Sequence, residues 1–354
     1  MSQTILSVAY PFARVGPAGV GGAEQILTSL EADLVARGYH SLVVARNGSA
    51  TAGHLIETYV PDGLLTPELC QSVTRAHAAN LHRALATHSV DLVHMHGNDF
   101  FEYPIPPEIP VLVTLHLPPS WYPEAIWHLP ANYLLHCVSE TQRLSCPPSL
   151  REPLPVIRNG VAISSGPRFQ RKRNFALMLS RICPEKNLHE GIDAARLANT
   201  PVLLGGQVFP YADHLRYMRE QIDPRLDAAA RWVGPLNGRR KQRLLEAARC
   251  LLLPSLAPET SSLVAMEAIA AGTPVIAYPS GAFPEVVEHG RTGFLVRNVT
   301  EMAAAITRAS EIDPAECRAV ARSRFPLSHM VDQYIDLYTH WISSRTSTQA
   351  SADR

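Results

Sequence analysis

No Cys-x-x-C pair occurs among the six cysteines, which are scattered from Cys70 to Cys317. A chain of this length does not need disulfide staples, so reduced thiols in a cytosol are expected. Neither sign of charge is in excess, with 32 Lys plus Arg against 32 Asp plus Glu. Without a block of like charges, a nucleic-acid arm or a polybasic anchor is excluded. The longest basic cluster, "RFQRKRN" from Arg168 to Asn174, reads as a solvated linker. No apolar run approaches bilayer length, and "MSQTILSVAYPFARVG" lacks the basic n-region of a signal peptide. These absences lead to the expectation of a soluble, cytoplasmic protein with no transmembrane segment and no nucleic-acid partner. Asp-x-Asp is also missing throughout. A diphosphate held through Mg²⁺ would therefore lack its usual carboxylates. His94 and His96 in "VHMHG" alternate on one strand face, but no third ligand with zinc-like spacing stands nearby. No metal and no resident cofactor are expected.

What is present is a repeated α/β grammar. The 354 residues suit two domains of about 150 residues each. In the first half, "TILSVAY", "SLVVAR", "VDLVHMHG", "PVLVTLH" and "YLLHCVS" read as strands. They alternate with the helical patterns "AEQILTSLEADLVARGYH" and "TRAHAANLHRALATH". After the polar stretch "SSGPRFQRKRN" the same grammar restarts with "FALMLSR" and runs through "PVLLGG", "RWVG", "LLLPSL" and "PVIAYPS". Such alternation predicts parallel sheets covered on both faces. The expected organisation is a Rossmann-like domain over 1–164 and a second over 165–325, facing each other across a cleft. A C-terminal helix is expected over 326–343, packing back toward the first domain, and a disordered tail over 344–354. In open α/β sheets ligands sit beyond the carboxyl ends of the strands, so strand-end residues are expected to carry function.

One stretch raises a chemical question. "PETSSLVAMEAIAAG" leaves an apolar strand, places Glu259 at once, opens a helix on Thr260, Ser261 and Ser262, and carries Glu267 inside an otherwise apolar helix. A helix N-terminus suits phosphate. Acids on either side would repel phosphate unless they are aimed at hydroxyls, as on a ribose or hexose diol. An acid within an apolar helix also requires a partner. Arg181 and Lys186 follow the strand "FALMLS" and can converge on one anion, although by themselves they read first as the surface Arg and Lys common on any loop. Gly21 and Gly22 precede a helix read from Ala23, where the chain turns sharply. As a dinucleotide fingerprint that loop fails, because Glu24 stands where the third glycine belongs.

The stretch "PSLAPETSSLVAMEAIAAGTPVIAYPSGAFPEVVEHGRTGFLV" resembles the E-x7-E region of the retaining glycosyltransferases of family 4, which have the GT-B fold. "VGGAEQ", "DLVHMHG", "VTLH", "VIRNGV" and "SRICPEK" are similar to the family's other motifs, in the family's order. The resemblance implies a metal-independent transfer of a sugar from a nucleoside diphosphate sugar, UDP-linked, to an acceptor hydroxyl with retention. It implies a catalytic set of His116, Arg181, Lys186 and Glu259. Donor binding is implied for Gly21, Gly22, Val233, Gly234, Leu236, Ser261, Ser262, Leu263 and Glu267. Two departures stand out: Thr260–Ser262 replaces a Gly-Phe-Gly-like pattern, and Arg158 replaces a frequent proline. Trp121, Tyr122 and Trp127 offer rings to an acceptor or to an ordinary hydrophobic loop. A sugar-nucleotide epimerase of the same fold and a non-catalytic sugar-binding or scaffold protein remain alternatives. A NAD-dependent oxidoreductase lacks a sound glycine fingerprint.

Overall fold

The computed structural model describes residues 3–17, 19, 21–63, 65–151, 154–163 and 171–352, with side chains through Arg345. Two compact units result: Met1–Arg158 with Ser328–Arg354, and Asn159–Leu327. Residues 164–170, where the linker begins in the sequence reading, lie outside the described residues.

The N-terminal unit runs β1 (Thr4–Val8), α1 (Gly22–Ala36), β2 (His40–Arg46), β3 (His54–Thr58), α2 (Pro67–Thr87), β4 (Leu92–Met95), β5 (Val111–Thr114), β6 (Tyr133–His136) and α3 (Glu140–Ser145). Its strands form one sheet in the order β3-β2-β1-β4-β5-β6, with parallel pairings throughout. β4 and β5 are buried along their whole length, which is why they read as unbroken apolar runs and not as alternating ones. α1 turns Ile26, Leu27, Leu30 and Leu34 inward at helical spacing. It begins at Gly22, one residue before the sequence reading. α2 is capped by Thr66, whose hydroxyl accepts from Leu69 N–H at 3.3 Å, with Pro67 in the first turn.

The C-terminal unit repeats the plan. It runs β7 (Ala176–Leu179), α4 (Leu188–Leu197), β8 (Val202–Gly205), α5 (Ala212–Tyr217), β9 (Ala230–Trp232), α6 (Gly238–Ala247) and β10 (Cys250–Leu253). It continues with α7 (Leu263–Ala270), β11 (Val275–Ala277), α8 (Phe283–Val286), β12 (Gly293–Leu295), α9 (Val299–Arg308) and α10 (Pro314–Arg324). Strand order is β12-β11-β10-β7-β8-β9. In each sheet the order reverses beside the unit's first strand, between β1 and β4 and between β7 and β10. A crevice at the strands' carboxyl ends opens at such a reversal, because the following loops leave in opposite directions.

α11 (Leu327–Ala352) belongs to the N-terminal unit from Ser328 onward, with Tyr334 and Tyr338 fully buried there. Helical backbone extends to Ala352, so the disordered tail expected from Ser344 is replaced by helix. "SSRTSTQASA" is polar and small, but it contains neither Gly nor Pro to stop a helix already nucleated on a packed stem. Among the described residues no helix is long and apolar enough to cross a membrane.

Candidate active site

In the C-terminal unit the predicted ionic residues gather on the two strands that flank the reversal. Arg181 and Lys186 follow β7, and Glu259 follows β10. The turn Pro184–Lys186 is tied to the β10 exit through the Glu185 carbonyl, which accepts from Leu256 N–H at 2.9 Å and Ala257 N–H at 3.3 Å. That tie brings Lys186 Nζ onto Glu259 Oε1, and Ser255 Oγ donates to the same oxygen at 2.7 Å. Gly281, at φ +58°, lies flat on the Glu259 peptide, where a Cβ would overlap its N and O atoms. Ala282 N–H donates to the Glu259 carbonyl at 2.7 Å. Backbone and side chain of Glu259 are thus both held. Arg181 is more open, its guanidinium 3.7 Å from Glu185 Oε1.

Glu267 has its partner as well: Lys241 Nζ, from α6, lies 2.6 Å from Glu267 Oε1. Both lysine–glutamate pairs keep between 17% and 22% of their side-chain surface, enough to be reached by a ligand. Lys241 was missed by sequence reasoning, since it sits within the exposed basic run "GRRKQR" and nothing local distinguishes it from its neighbours.

Ser262 is the N-cap of α7 at φ +79°, ψ +74°, and its hydroxyl makes no capping bond. The left-handed region is costly for a residue with a Cβ, and here it turns the chain into the head of α7, where Leu263 is the first helical residue. The Ser261 hydroxyl is buried without a partner among the described residues.

Val233, Gly234 and Leu236 follow β9. Gly206, just past β8, joins the strand ends: its N–H donates to the Gly234 carbonyl at 2.9 Å, and a Cβ on it would overlap the Ser180 carbonyl beside Arg181. Leu236 packs onto Gly205. A cavity of about 500 Å³ lined by Leu203, Arg231, Val233, Arg239, Arg240, Arg243 and Leu244 shares only Val233 with the predicted set.

In the N-terminal unit Gly21 caps α1, and the Glu24 carboxylate occupies the space a Cβ on Gly21 would need. The helix therefore begins under its own acid. His116 follows β5 and closes a buried chain of rings. His116 Nε2 is 3.2 Å from His96 Nδ1, and His96 Nε2 is 3.1 Å from His94 Nδ1. His94 Nδ1 is also 2.7 Å from Tyr338 Oη, while His94 Nε2 and His136 Nε2 each lie 2.7 Å from Thr114 Oγ1. His136 Nδ1 faces the Cys137 carbonyl at 3.1 Å. A carbonyl only accepts, so His136 carries its proton on Nδ1 and its Nε2 accepts from Thr114 O–H. Thr114 then accepts from His94 Nε2–H, and the single lone pair of His94 Nδ1 accepts from Tyr338 O–H at the shorter of its two contacts.

Desolvation, reinforced by the neighbouring rings, holds His94 and His96 well below the ordinary imidazole range. It pushes His136 down to about 4 and His116 to about 3; part of the His116 residue reaches the surface, but its ring is enclosed. The His116 and Leu117 N–H groups both donate to Tyr122 Oη at 3.1 Å, and Gln142 Nε2 donates to the Leu115 and Leu117 carbonyls at 2.7 and 2.9 Å. Tyr122 is thus buried and fixes the His116 loop, which matches the hydrophobic-loop alternative of its sequence reading. Trp121 is exposed, and Trp127 packs on the core. Asp99, after β4, was also missed. Burial raises its carboxyl to about 6, Tyr103 O–H donates to Oδ2 at 2.5 Å, and Oδ1 is buried without a partner among the described residues.

Residues 162–324 match the family model described as glycosyl transferases group 1. A glycogen synthase of Mycobacterium tuberculosis is 34% identical over 187 residues, covering 50% of this chain and 44% of that protein. The chain thus spans less than half the length of that relative. Sucrose-phosphate synthase from Thermosynechococcus elongatus superposes with a TM-score of 0.78 at 20% identity, covering 97% of this chain and 100% of that one. The Anabaena HepE protein, crystallised with UDP and glucose, superposes with a TM-score of 0.70 at 20% identity, covering 95% and 99%.

Two outcomes follow from this geometry. Ser262→Gly should stabilise the C-terminal unit by about 1 kcal/mol in urea unfolding, by removing the left-handed penalty; destabilisation would show that the Ser262 side chain has a partner of its own. Because the folded histidines have lowered pKa values, the unfolded chain binds protons first as pH falls below about 6.5. Stability should be full above that pH and fall by about 1.4 kcal/mol per pH unit for each silent histidine, continuing toward pH 3–4. Imidazole NMR should find these rings still neutral at about pH 5, and titration midpoints near 6.5 would contradict the buried chain. The twin sheets, the strand reversals and the superpositions agree: this chain is an α/β protein of the two-domain GT-B fold.

Proposed function

We propose that the chain is a glycosyltransferase of the family 4 type, moving a sugar from a nucleoside diphosphate sugar, UDP-linked, to an acceptor hydroxyl with retention at the anomeric carbon. The observation that carries this reading is the pair of lysine–glutamate contacts beside the head of α7, at the strand reversal of the C-terminal unit. Each acid flanking the phosphate-suited helix end is already neutralised by a lysine, so a diphosphate can approach without net repulsion.

On binding, Lys186 and Arg181 take the diphosphate, and the N–H groups at Ser262 and Leu263 add the dipole of α7. Glu259, released from Lys186, accepts from the donor sugar's hydroxyls. Glu267 accepts from the ribose diol while its other contact, Lys241, stays beside it. Val233, Gly234 and Leu236 border the base. In the retaining step the bond from the anomeric carbon to the phosphate oxygen breaks, the bond to the acceptor oxygen forms on the same face, and the acceptor proton passes to the leaving phosphate. Arg181, Lys186 and the N–H groups at the head of α7 face the charge on the leaving group, and no metal is assigned to this site. HepE supports a UDP-sugar, since its structures hold UDP, UDP-glucose and glucose.

The test is turnover of a panel of UDP-, GDP- and ADP-hexoses in EDTA, with the anomeric configuration of the product read by NMR. Slow loss of one donor's sugar to water, with the α configuration kept, is expected. Lys186→Ala and Glu267→Ala should each lower turnover about 100-fold or more with the fold unchanged. Wild-type rates in both variants would sink the site, and release of an epimerised donor would identify the epimerase instead.

A further inference from the structure

Beneath the Arg181–Lys186 loop, three side chains that the transferase reading does not use converge. Cys183 caps the turn Pro184–Lys186 in extended conformation, and the turn ends at Asn187 in the left-handed region, so Cys183 and Glu185 are folded side by side. α5 delivers His214 against them. One ligand atom from each of Cys183, Glu185 and His214 lies within 4.8 Å of the other two. The His214 residue is only 8% exposed, and its Nδ1 is buried with no partner among the described residues. A buried ring nitrogen without a partner is unfavourable unless something occupies it. The rings of Phe209 and Tyr211 stand edge-on to His214, at 6.4 and 5.1 Å between centroids, and wall the place off.

We infer that Cys183, Glu185 and His214 form a binding site for a borderline-soft divalent cation of the Zn²⁺ type. Sulfur, imidazole and one carboxylate are the donor set that zinc accepts and that Mg²⁺ or Ca²⁺, which prefer oxygen, does not. Three protein ligands leave the fourth tetrahedral position to water or an anion. Burial and the neighbouring Glu185 push the Cys183 thiol up to about 12, so the free protein holds it as S–H. Binding forms the S–Zn bond, breaks S–H and releases that proton to solvent. Glu185 Oε1 also faces Arg181 at 3.7 Å. Recruiting Glu185 to the metal loosens that contact and resets the loop that carries Arg181 and Lys186. This coupling rests on the donor-site reading, whereas the metal site does not.

The experiment is titration of the metal-free chain with Zn²⁺ against a chromophoric chelator, with Co²⁺ substituted as a spectroscopic probe. One equivalent should bind, with proton release at neutral pH and a thiolate-to-cobalt charge-transfer band in the near ultraviolet. Cys183→Ala and His214→Ala should each weaken Zn²⁺ by about 100-fold or more, while Cys146→Ala in the N-terminal unit should leave it unchanged. Thermal melts of the metal-free variants check folding, and a variant that fails is replaced by Cys183→Ser or His214→Asn, for which the same loss is expected. Absence of stoichiometric binding, a cobalt spectrum without the thiolate band, or affinity untouched in the folded variants would overturn the site. Lys186→Ala should bind Zn²⁺ normally, so failure of the metal site and failure of the donor site are read separately.

Discussion

The donor-site reading of the C-terminal unit depends on a lysine being held against each of the two glutamates on either side of the head of α7. A helix head inviting phosphate between two uncompensated carboxylates would repel its own ligand. Lys186 on Glu259 and Lys241 on Glu267 remove that conflict before any ligand arrives. The contacts are partly exposed, so they contribute little to folding stability by themselves. Their value lies in position: a diphosphate can take a lysine while a diol takes the glutamate, and charges exchange partners without an ion being left bare.

That arrangement comes from topology. Strand order reverses between β7 and β10, so the loops carrying Arg181 with Lys186 and Glu259 leave adjacent strands at the same end. Backbone contacts then fix them: the Glu185 carbonyl on the Leu256 and Ala257 amides, Gly281 on the Glu259 peptide, and Gly206 between Ser180 and Gly234. The N-terminal unit repeats the order but fills it differently. Its strand ends carry a neutral histidine chain that begins at a carbonyl, passes through Thr114 and ends at His116. Tyr338 on α11 contributes a donor to that chain, so the helix that returns to this unit takes part in setting the tautomer.

Much of this was legible in the sequence. Alternating apolar runs announced two parallel sheets, because a strand buried on both faces has no polar side to show. The short edge strands β3 and β12 were not read, since neither carries a long apolar run. Glu259 stood out as an acid at a strand exit and Glu267 as an acid within an otherwise apolar helix, whereas Arg181 and Lys186 were singled out through the family resemblance. Lys241 did not, because its significance is a contact 26 residues away across two helices. Neither His136 nor Tyr338 could be joined to His94 from spacing alone. Likewise Cys183 looked like one more scattered thiol until α5 set His214 beside it. Ser262 shows the reverse case. It stands where the family resemblance puts glycine, and its backbone lies in the left-handed region, which sequence alone does not announce for a serine.

The most direct test of the central claim is calorimetric titration of UDP, in EDTA, into the wild-type chain and into Lys186→Met, which keeps an unbranched side chain one atom shorter and removes its charge. The paired-site account predicts metal-free binding that weakens as salt is raised and falls about 100-fold in the variant. An unchanged affinity in Lys186→Met, or binding that appears only when a divalent cation is added, would contradict it.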